Sequence, residues 1–417
     1  MRHIHYGWVV AAVTFLVLLA AAGFRSTIGV FVVPLEDEFG WNRAEVSLAI
    51  AINLVFYGLA APFAAAFMER LGVRKLMVAG LVAVGGGAAL TIAMTALWQL
   101  NLIWGLVIGT ATGAIAIPLA AIVATRWFVR RRGLVTGLLT ASFATGNLVF
   151  LPLLAWVTDG YGWRWAVAIV AITATAIIPV VLLLMRERPS DIGLAPYGWS
   201  DDGTPTTRPV PTGSVFGTPF RVLRQAVHVR DFWLLAGTFF ICGWTTNGAV
   251  QSHFIPAAHD HGIPQVTAAS LLAVIGVFDI VGATASGWLT DRTDPRRLLF
   301  VYYCLRGTSL AALPFLLQGS GLPLVAFAIV YGLDWVATVP PTIALTNQAF
   351  GREQASVVFG WVFCAHMLGG AMAAWTAGTF REIFGDYLVA FTGAGLLALL
   401  AGFAALGIAR NPRPRYA

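Results

Sequence analysis

The stretch VPLEDEFG at residues 33–40 recurs in outline as IPAAHDHG at residues 255–262, an offset of 222. The same offset, without a gap, carries Glu69-Arg70 onto Asp291-Arg292. Further pairs at offsets of 222 or 223 are Arg74 with Arg296, Gly109 with Gly332, Pro118 with Pro341 and Gly146 with Gly369. A match sustained over so many positions predicts two similar halves that run in the same direction through a membrane.

The composition supports a membrane location for both halves. The 417 residues are 58% hydrophobic and only 11% charged, whereas a soluble globular protein has about 25% charged residues. Many apolar runs exceed about 18 residues, the length that predicts a membrane-spanning helix. These values exclude a soluble enzyme, a nucleic-acid-binding protein and a secreted disulfide scaffold.

Counting the apolar segments between charged or turn-rich loops predicts twelve spans. We place them at residues 7–35, 44–68, 77–98, 102–125, 134–157, 163–185, 231–256, 266–290, 298–318, 322–347, 354–379 and 387–409. The longest polar stretch, at residues 186–230, predicts a cytoplasmic surface linker. The chain is thus predicted to be an all-α integral membrane protein of twelve transmembrane helices in two pseudo-symmetric six-helix bundles, at residues 1–185 and 231–417.

The distribution of positive charge predicts the orientation. With both termini and the linker in the cytoplasm, only Arg43, Arg164 and Arg381 of the 26 Lys and Arg residues lie on the opposite side. Two more, Arg25 and Arg306, lie inside spans. Positively charged loops stay in the cytoplasm, so the net charge of +7 indicates topology rather than a nucleic-acid partner.

The loop after span two carries a recognisable motif. It reads Ala65-x-x-x-Glu69-Arg70-x-Gly72-x-Arg74-Lys75, and its repeat reads Gly287-x-x-x-Asp291-Arg292-x-x-x-Arg296-Arg297. Both resemble the G-x-x-x-D-R-x-G-x-R-R signature of the major facilitator superfamily, and with twelve spans the resemblance covers essentially the whole chain. It implies the major facilitator fold, a monomer, and a cytoplasmic gate at the ends of the helices. The residues implied for this gate are Glu69, Arg70, Arg74, Asp291, Arg292 and Arg296.

A finer resemblance is to the bacterial monocarboxylate-transporter and oxalate–formate-antiporter branch, which implies a bacterial inner (plasma) membrane. The stretches that carry it are Gly7-Trp8-Val9-Val10, Phe39-Gly40-Trp41 followed by Arg43, and Arg126-Trp127-Phe128 followed by Arg131-Arg132-Gly133. Phe278-Asp279-Ile280 on span eight resembles the intramembrane acid of that branch. The substrate-binding arginine that the branch carries four residues later is Ala283 here, and Arg25 lies one residue before the lysine position of animal members.

Arg25 is the candidate anion-binding group. A charge at the bilayer centre costs about 2.5–3.5 kcal/mol on insertion scales, so it needs a partner or a function. Spans one, four, seven and ten line the cavity of the resembled fold, where a guanidinium can bind a carboxylate through two parallel hydrogen bonds. The repeat mate of Arg25 is Asn247. The alternatives for Arg25 are a buried pair with Asp334 or a side chain that reaches the membrane interface.

Asp279 and Arg306 are predicted to lie at similar depths. Asp279 precedes Asp291 by roughly 18 Å of helix, and Arg306 follows Arg296 by roughly 15 Å on the next, antiparallel span. The two charges are therefore expected to face each other. They form either a structural salt bridge or a pair in which Asp279 takes up a proton and releases Arg306.

Further candidates lie on spans five, seven, ten and eleven. Asp334 precedes the helix-breaking pair Pro340-Pro341 and is either a proton site or a structural partner of Arg25. His366 titrates in the physiological range or serves packing. The candidate substrate-binding residues are therefore Arg25, Asn147, Asn247, Gln251 and Arg306, and the candidate proton-coupling residues are Asp279, Asp334 and His366.

The sequence predicts no cofactor, no metal site and no enzyme. It lacks the G-x-x-x-x-G-K-[ST] loop of ATP-driven proteins, and no nucleophile, base and metal ligands converge in it. His259-Asp260-His261 cannot present all three side chains to one ion from a regular helix.

The predicted function is secondary active transport of a small, monocarboxylate-like organic anion, coupled to protons, by alternating access. The expected partners are the substrate anion, protons and the lipid bilayer. One alternative is a proton-antiporting exporter of drugs or other small hydrophobic molecules. The 12% aromatic content and Asp334 permit this function, and Ala283 in place of the branch arginine slightly favours it. Another is a receptor that keeps the transporter fold and binds its ligand without moving it.

Overall fold

The computed structural model describes residues 5–26, 28–115, 117–199, 217–319 and 321–409. In this part of the chain the regular structure is helical, and every predicted span corresponds to one helix or to consecutive helical pieces. The prediction of an all-α membrane protein with twelve spans is therefore confirmed.

The N-terminal half contains spans one to six. Span one consists of Tyr6–Ser26 and Ile28–Phe39, span two of Arg43–Leu71, span three of Val73–Ile92, span four of Leu97–Leu100, Asn101–Ile108, Gly109–Ile115 and Ile117–Trp127, span five of Arg132–Tyr161, and span six of Trp163–Leu184. Asn42 caps span two: its side chain accepts a hydrogen bond from the Glu45 backbone N–H, and the Glu45 carboxylate bonds back to the Asn42 N–H, an arrangement that satisfies two free donors of the first turn.

The C-terminal half contains spans seven to twelve. Span seven consists of Arg230–Gly243, Trp244–Val250 and Gln251–Asp260, span eight of Gln265–Thr290, span nine of Pro295–Leu316, span ten of Leu322–Asp334 and the first part of Val339–Phe384, span eleven of the rest of that helix, and span twelve of Leu388–Leu406. Gly351 separates spans ten and eleven, because its φ of 72° is a left-handed value that glycine adopts at no steric cost.

Nine of the described helices are long and apolar enough on their own to cross a bilayer. Spans four and seven are divided by the π-helical segments Asn101–Ile108 and Trp244–Val250. Large apolar side chains on the outside of the molecule remain exposed, among them Leu183 at 69% and Leu400 at 64%. Because a bilayer solvates such side chains as well as a protein core does, this surface fits a protein embedded in lipid.

The molecule has two ends, which we name by position. The linker side carries the turns at residues 72, 128–131, 185–199 and 291–294, and the far side carries those at residues 40–42, 93–96, 162, 261–264 and 385–387. On the linker side the backbone N–H of Val73 donates to the Glu187 carboxylate at 2.8 Å. On the far side Arg164 donates to the backbone oxygen of Ile92 at 3.1 Å.

The two halves meet where span two packs on span eleven and span five packs on span eight. The predicted linker is not a loop throughout, because it contains the helix Gly217–Ala226. In this helix Phe220 lies 5.6 Å from Phe63 of span two and 5.7 Å from Trp361 of span eleven, measured between ring centroids. The linker helix therefore contacts both halves, while the division at residues 185 and 231 stays a prediction.

Candidate functional site

Three of the predicted functional side chains, those of Arg25, Asn147 and Glu69, lie outside the described residues. The backbone still gives the depth of Arg25. Gly29 lies about one turn further along span one, and a Cβ built on Gly29 would be 3.1 Å from the backbone oxygen of Gln251. Spans one and seven thus touch at Gly29 and Gln251, so Arg25 lies at the level of Asn247 on the neighbouring span.

A polar pair joins spans seven and eleven at this level. Asn247 belongs to the π-helical segment of span seven, and its Nδ2 lies 2.8 Å from Nε2 of His366. The other ring nitrogen of His366, Nδ1, lies 3.1 Å from the backbone oxygen of Phe239. A carbonyl oxygen can only accept, so Nδ1 carries the proton and Nε2 accepts from the Asn247 amide. The geometry therefore assigns one neutral tautomer to His366.

The π-helical segment also places Gln251 and Ser252 near this pair. The Ser252 hydroxyl donates to the backbone oxygen of Asn247 at 2.7 Å. The Gln251 side-chain Nε2 is buried and has no hydrogen-bond partner among the described residues. A buried amide donor without a partner is costly, so Gln251 has an unused donor at the boundary between the halves.

Arg306 pairs with Asp334, and the expected pairing with Asp279 is wrong. The Arg306 Nε lies 2.6 Å from Oδ2 of Asp334, and the two side chains are 0% and 1% exposed. Asp279 instead accepts the backbone N–H of Val336 at 2.9 Å. Helical rise fixes depth but not the direction in which a side chain points, which is why a depth argument selected the wrong carboxylate.

Buried side chains from spans seven and ten surround this ion pair. Arg306 Nη1 donates to the Cys242 sulfur at 2.9 Å, and that sulfur lies 3.2 Å from the Thr338 hydroxyl. Arg306 is therefore held on several sides within the C-terminal half in this structure. Asp334 is thus a partner of Arg306. The pair with Arg25 that the sequence analysis considered involves a side chain outside the described residues.

Charged residues also connect the halves on the far side, a network that the sequence analysis missed. Arg43 of span two forms a two-pronged pair with Glu36, and its Nη1 lies 3.5 Å from Asp260 of span seven. The same Nη1 donates to the Tyr387 hydroxyl at 2.9 Å, and Arg381 lies 2.7 Å from Asp260. We call Glu36, Arg43, Asp260, Arg381 and Tyr387 the far-side network.

A sequence signal for this network existed. Glu38 and Asp260 are repeat mates at the offset of 222, and only three Lys or Arg residues were placed on the far side. Glu38 binds one of them, Arg164, at 2.6 Å, and Asp260 contacts the other two. The scarcity of cations opposite the linker could therefore have identified their carboxylate partners.

On the linker side the motif arginines bind backbone groups within each half. Arg74 donates to the backbone oxygen of Leu182 at the end of span six, and Arg296 donates to that of Ile408 at the end of span twelve, at 3.1 Å. Arg296 also pairs with Asp294 at 2.6 Å.

Three further described members of the motif are exposed. Arg292 lies over the ring of Trp288 at 4.3 Å, and Asp291 and Arg70 are exposed. The carboxylate of Glu187 accepts the N–H groups of Val73 and Arg74 instead, and thus caps the start of span three. The gate that the motif implies stays a prediction.

Acidification is expected to release the Glu38 side chain from Arg164. The bond from Arg164, and more weakly that from Trp163, lowers the pKa of Glu38 against the smaller opposing effect of burial. A carboxylate whose pKa is lower in the folded than in the unfolded state stabilises the fold. For Glu38 this stabilisation is fully present when the pH is above the unfolded-state pKa of 4.5, and it is lost as the pH falls through the lower folded-state pKa. The melting temperature of the native chain should exceed that of Glu38→Gln at neutral pH, and the difference should vanish only below pH 4.5. A difference that stays constant over this range would contradict the assignment.

Comparison with known proteins adds an independent line of argument. The profile of the Major Facilitator Superfamily matches residues 13–374. An uncharacterized MFS-type transporter, YcxA of Bacillus subtilis, is 24% identical over 397 residues, which cover 92% of this chain and 90% of the relative. Monocarboxylate transporter 13 of Rattus norvegicus is 27% identical, with 95% and 87% covered, and monocarboxylate transporter 11 of Homo sapiens is 26% identical, with 97% and 83% covered.

Among solved structures, that of a D-xylose-proton symporter superimposes with a TM-score of 0.72. The superposition covers 99% of this chain and 100% of the symporter, and the two sequences are 13% identical. At this identity the similarity concerns the fold alone. The family match spans most of the chain and agrees with the twelve helical spans. The chain belongs to the Major Facilitator Superfamily and is a membrane transporter, not an enzyme.

Proposed function

We propose that this transporter moves a small organic anion of the monocarboxylate class, coupled to protons, by alternating access of its two halves. The observation that carries the proposal is the group of hydrogen-bonding side chains on spans seven and eleven. Asn247, Gln251 and His366 lie at the boundary between the halves, at the level of Arg25. Relatives that are named monocarboxylate transporters align over nearly the whole chain, which supports the same substrate class.

Each group has a distinct role in the proposed binding of the anion. The guanidinium of Arg25 holds the carboxylate through two hydrogen bonds, and the free Nε2 donor of Gln251 adds a third. Asn247 orients His366 and the polar end of the substrate. Asn147 of span five, whose side chain lies outside the described residues, is the remaining candidate for the substrate. Charge-assisted bonds of this kind are each worth about 1.5–3 kcal/mol, so together they suffice to bind a small acid.

His366 is the proposed proton site closest to the anion. In the neutral tautomer Nε2 accepts from the Asn247 amide. A proton on Nε2 turns this acceptor into a donor, so the amide of Asn247 must rotate to present its oxygen. Protonation thereby adds a positive charge beside a bound carboxylate and changes the contact between spans seven and eleven. Asp279 and Asp334 are the further candidates for a coupled proton.

The far-side network gives the alternating cycle a physical basis. It ties Arg43 of the N-terminal half to Asp260 and Tyr387 of the C-terminal half, so the far side is held together in this structure. Residues 1–185 and 231–417 are the proposed moving bodies, and residues 186–230 link them. We place the linker side in the cytoplasm of a bacterial cell because it carries most of the positive charge, and we propose that the carrier acts as a monomer.

Uptake into proteoliposomes tests the proposal. Radiolabelled monocarboxylates should enter vesicles faster when an inward proton gradient is imposed. Arg25→Ala should lower uptake at low substrate concentration by at least about a hundredfold, because it removes both charge-assisted hydrogen bonds of the guanidinium. Arg221→Ala, an exposed arginine on the linker helix, is the matched control and should leave uptake unchanged.

Two outcomes would overturn this proposal. Normal uptake by Arg25→Ala would remove the assignment of the anion site. Resistance to drugs on expression, without uptake of any organic acid, would favour the proton-antiporting exporter of small hydrophobic molecules, a function that Ala283 in place of the branch arginine permits.

A further inference from the structure

Span ten is not a continuous helix. Its first piece, Leu322–Asp334, ends at Asp334, and its second begins at Val339. Pro340 and Pro341 follow at once, in the first turn of the second piece, where a missing N–H costs nothing. Pro340 and Pro341 have no N–H to donate to the backbone oxygens of Val336 and Ala337, one turn earlier. The break at residues 335–338 is therefore written into the local sequence, and it leaves backbone groups without partners in their own helix.

Side chains from spans eight and nine bind the backbone at this break. Arg306 Nη2 donates to the backbone oxygens of Asp334 at 2.5 Å and of Trp335 at 3.1 Å. The Asp279 carboxylate accepts the N–H of Val336 at 2.9 Å, and the Ser286 hydroxyl donates to the backbone oxygen of Ala337 at 2.5 Å. Four consecutive residues of span ten are thus each bonded by a neighbouring side chain.

The charges of these side chains match the two helix ends that they contact. The C-terminal end of a helix carries partial negative charge and the N-terminal end partial positive charge. Arg306, a cation, contacts the end of the first piece, and Asp279, an anion, contacts the approach to the second piece. The arrangement resembles a cap at each end of the break, supplied by other spans.

Span eight approaches the break closely enough for this. Asp279 and Ser286 are seven residues apart, about two helical turns, so they lie on one face of the span. Gly282 lies between them, and a Cβ at this position would be 1.9 Å from the backbone oxygen of Leu333. The absence of a side chain at Gly282 lets the backbone of span eight lie against the break.

We propose that Asp279, Ser286 and Arg306 are positioning residues that hold the break of span ten, and that span ten bends at residues 335–338 as the carrier changes the side to which it opens. The second clause rests on the proposed function, whereas the first concerns the structure alone. In this assignment the essential feature of Asp279 is an oxygen that accepts the Val336 N–H, and its negative charge adds a smaller attraction to the helix end.

Hydrogen–deuterium exchange in detergent tests the first clause without any substrate. Asp279→Ala removes the acceptor and should raise the exchange rate of the Val336 amide by about tenfold. Asp279→Asn keeps an acceptor oxygen and should stay within about threefold of the native rate. Thr284→Ala, an exposed position on the same span whose hydroxyl bonds only within its own helix, is the control. An unchanged rate in Asp279→Ala would overturn the proposal.

Ser286→Ala provides a milder variant in case Asp279→Ala does not fold. It removes the bond to Ala337, and exchange in the peptide that covers residues 333–342 should rise by about threefold. Ser286→Thr, which keeps the hydroxyl, should restore the native rate. Equal exchange in Ser286→Ala and the native chain would count against the positioning role.

Substrate exchange between preloaded vesicles and the medium, without a proton gradient, tests the second clause. Ser286→Thr, which keeps the hydroxyl, should retain this exchange, and Ser286→Ala should lose about threefold. Equal exchange rates for the two variants would refute bending at the break. If the chain moves no monocarboxylate at all, the proposed function fails, but the deuterium measurements still decide the positioning role.

Discussion

Replacing Arg306 with leucine is expected to lower the free energy of unfolding by about 3–5 kcal/mol, because it leaves a buried charge without a partner. Asp334 is 1% exposed, and Arg306 Nε is its closest cation at 2.6 Å. The other carboxylate oxygen of Asp334, Oδ1, has no hydrogen-bond partner among the described residues. Nothing else described at this position compensates the negative charge.

The double variant Arg306→Leu/Asp334→Leu should recover about half or more of this loss, since replacing both partners of a buried pair by apolar groups is often neutral. Full recovery is not expected, because Arg306 also binds the backbone oxygens of Asp334 and Trp335. Denaturant titration of the purified protein in detergent measures these differences. Arg221→Leu, at an exposed position, serves as the control. A double variant no more stable than Arg306→Leu would show that the two charges do not act as a unit.

Gly243→Ala is expected to cost about 3 kcal/mol or more, at or above the upper end of the usual range for overpacked cores. A Cβ at this position would lie 1.7 Å from the backbone oxygen of His366, so spans seven and eleven would have to separate. The separation would also disturb the 2.8 Å contact between Asn247 and His366. We therefore expect a loss of transport beyond what the lower stability explains.

Gly237→Ala is the matched control on the same span. No atom from a neighbouring described element lies within 4 Å of a Cβ built there, so alanine should stabilise the helix by up to about 1 kcal/mol. Melting temperatures in detergent and uptake in proteoliposomes measure both variants. Similar melting temperatures for Gly243→Ala and Gly237→Ala would show that the backbones of spans seven and eleven are not in tight contact.

The helical spans could be predicted because the bilayer imposes a length and a composition on each of them. The break in span ten was also signalled, since Pro340-Pro341 cannot continue a helix. What the prolines do not indicate is which neighbours bind the free backbone groups. Asp279 and Arg306 were both recognised as important charges, but as partners of each other rather than as ligands of the span ten backbone.

The contacts between side chains of different helices could not be predicted from the sequence, for one reason. Successive side chains of a helix point about 100° apart around its axis. Rotating a helix by the angle of one or two residues therefore changes every side-chain contact with its neighbour. Asn247 and His366 are 119 residues apart, and no local pattern links them. The far-side network joins residues of spans one, two, seven and eleven in the same way.

Length, apolar content and the internal repeat by themselves determined that this chain spans a membrane twelve times in two related halves, because those properties follow from local chemistry and from the thickness of the bilayer. The packing of the helices was needed to show that Arg306 pairs with Asp334, that Asp279 binds a backbone amide, and that His366 contacts Asn247. Such contacts depend on how each helix is rotated against its neighbours, and that rotation is fixed by packing over the whole molecule.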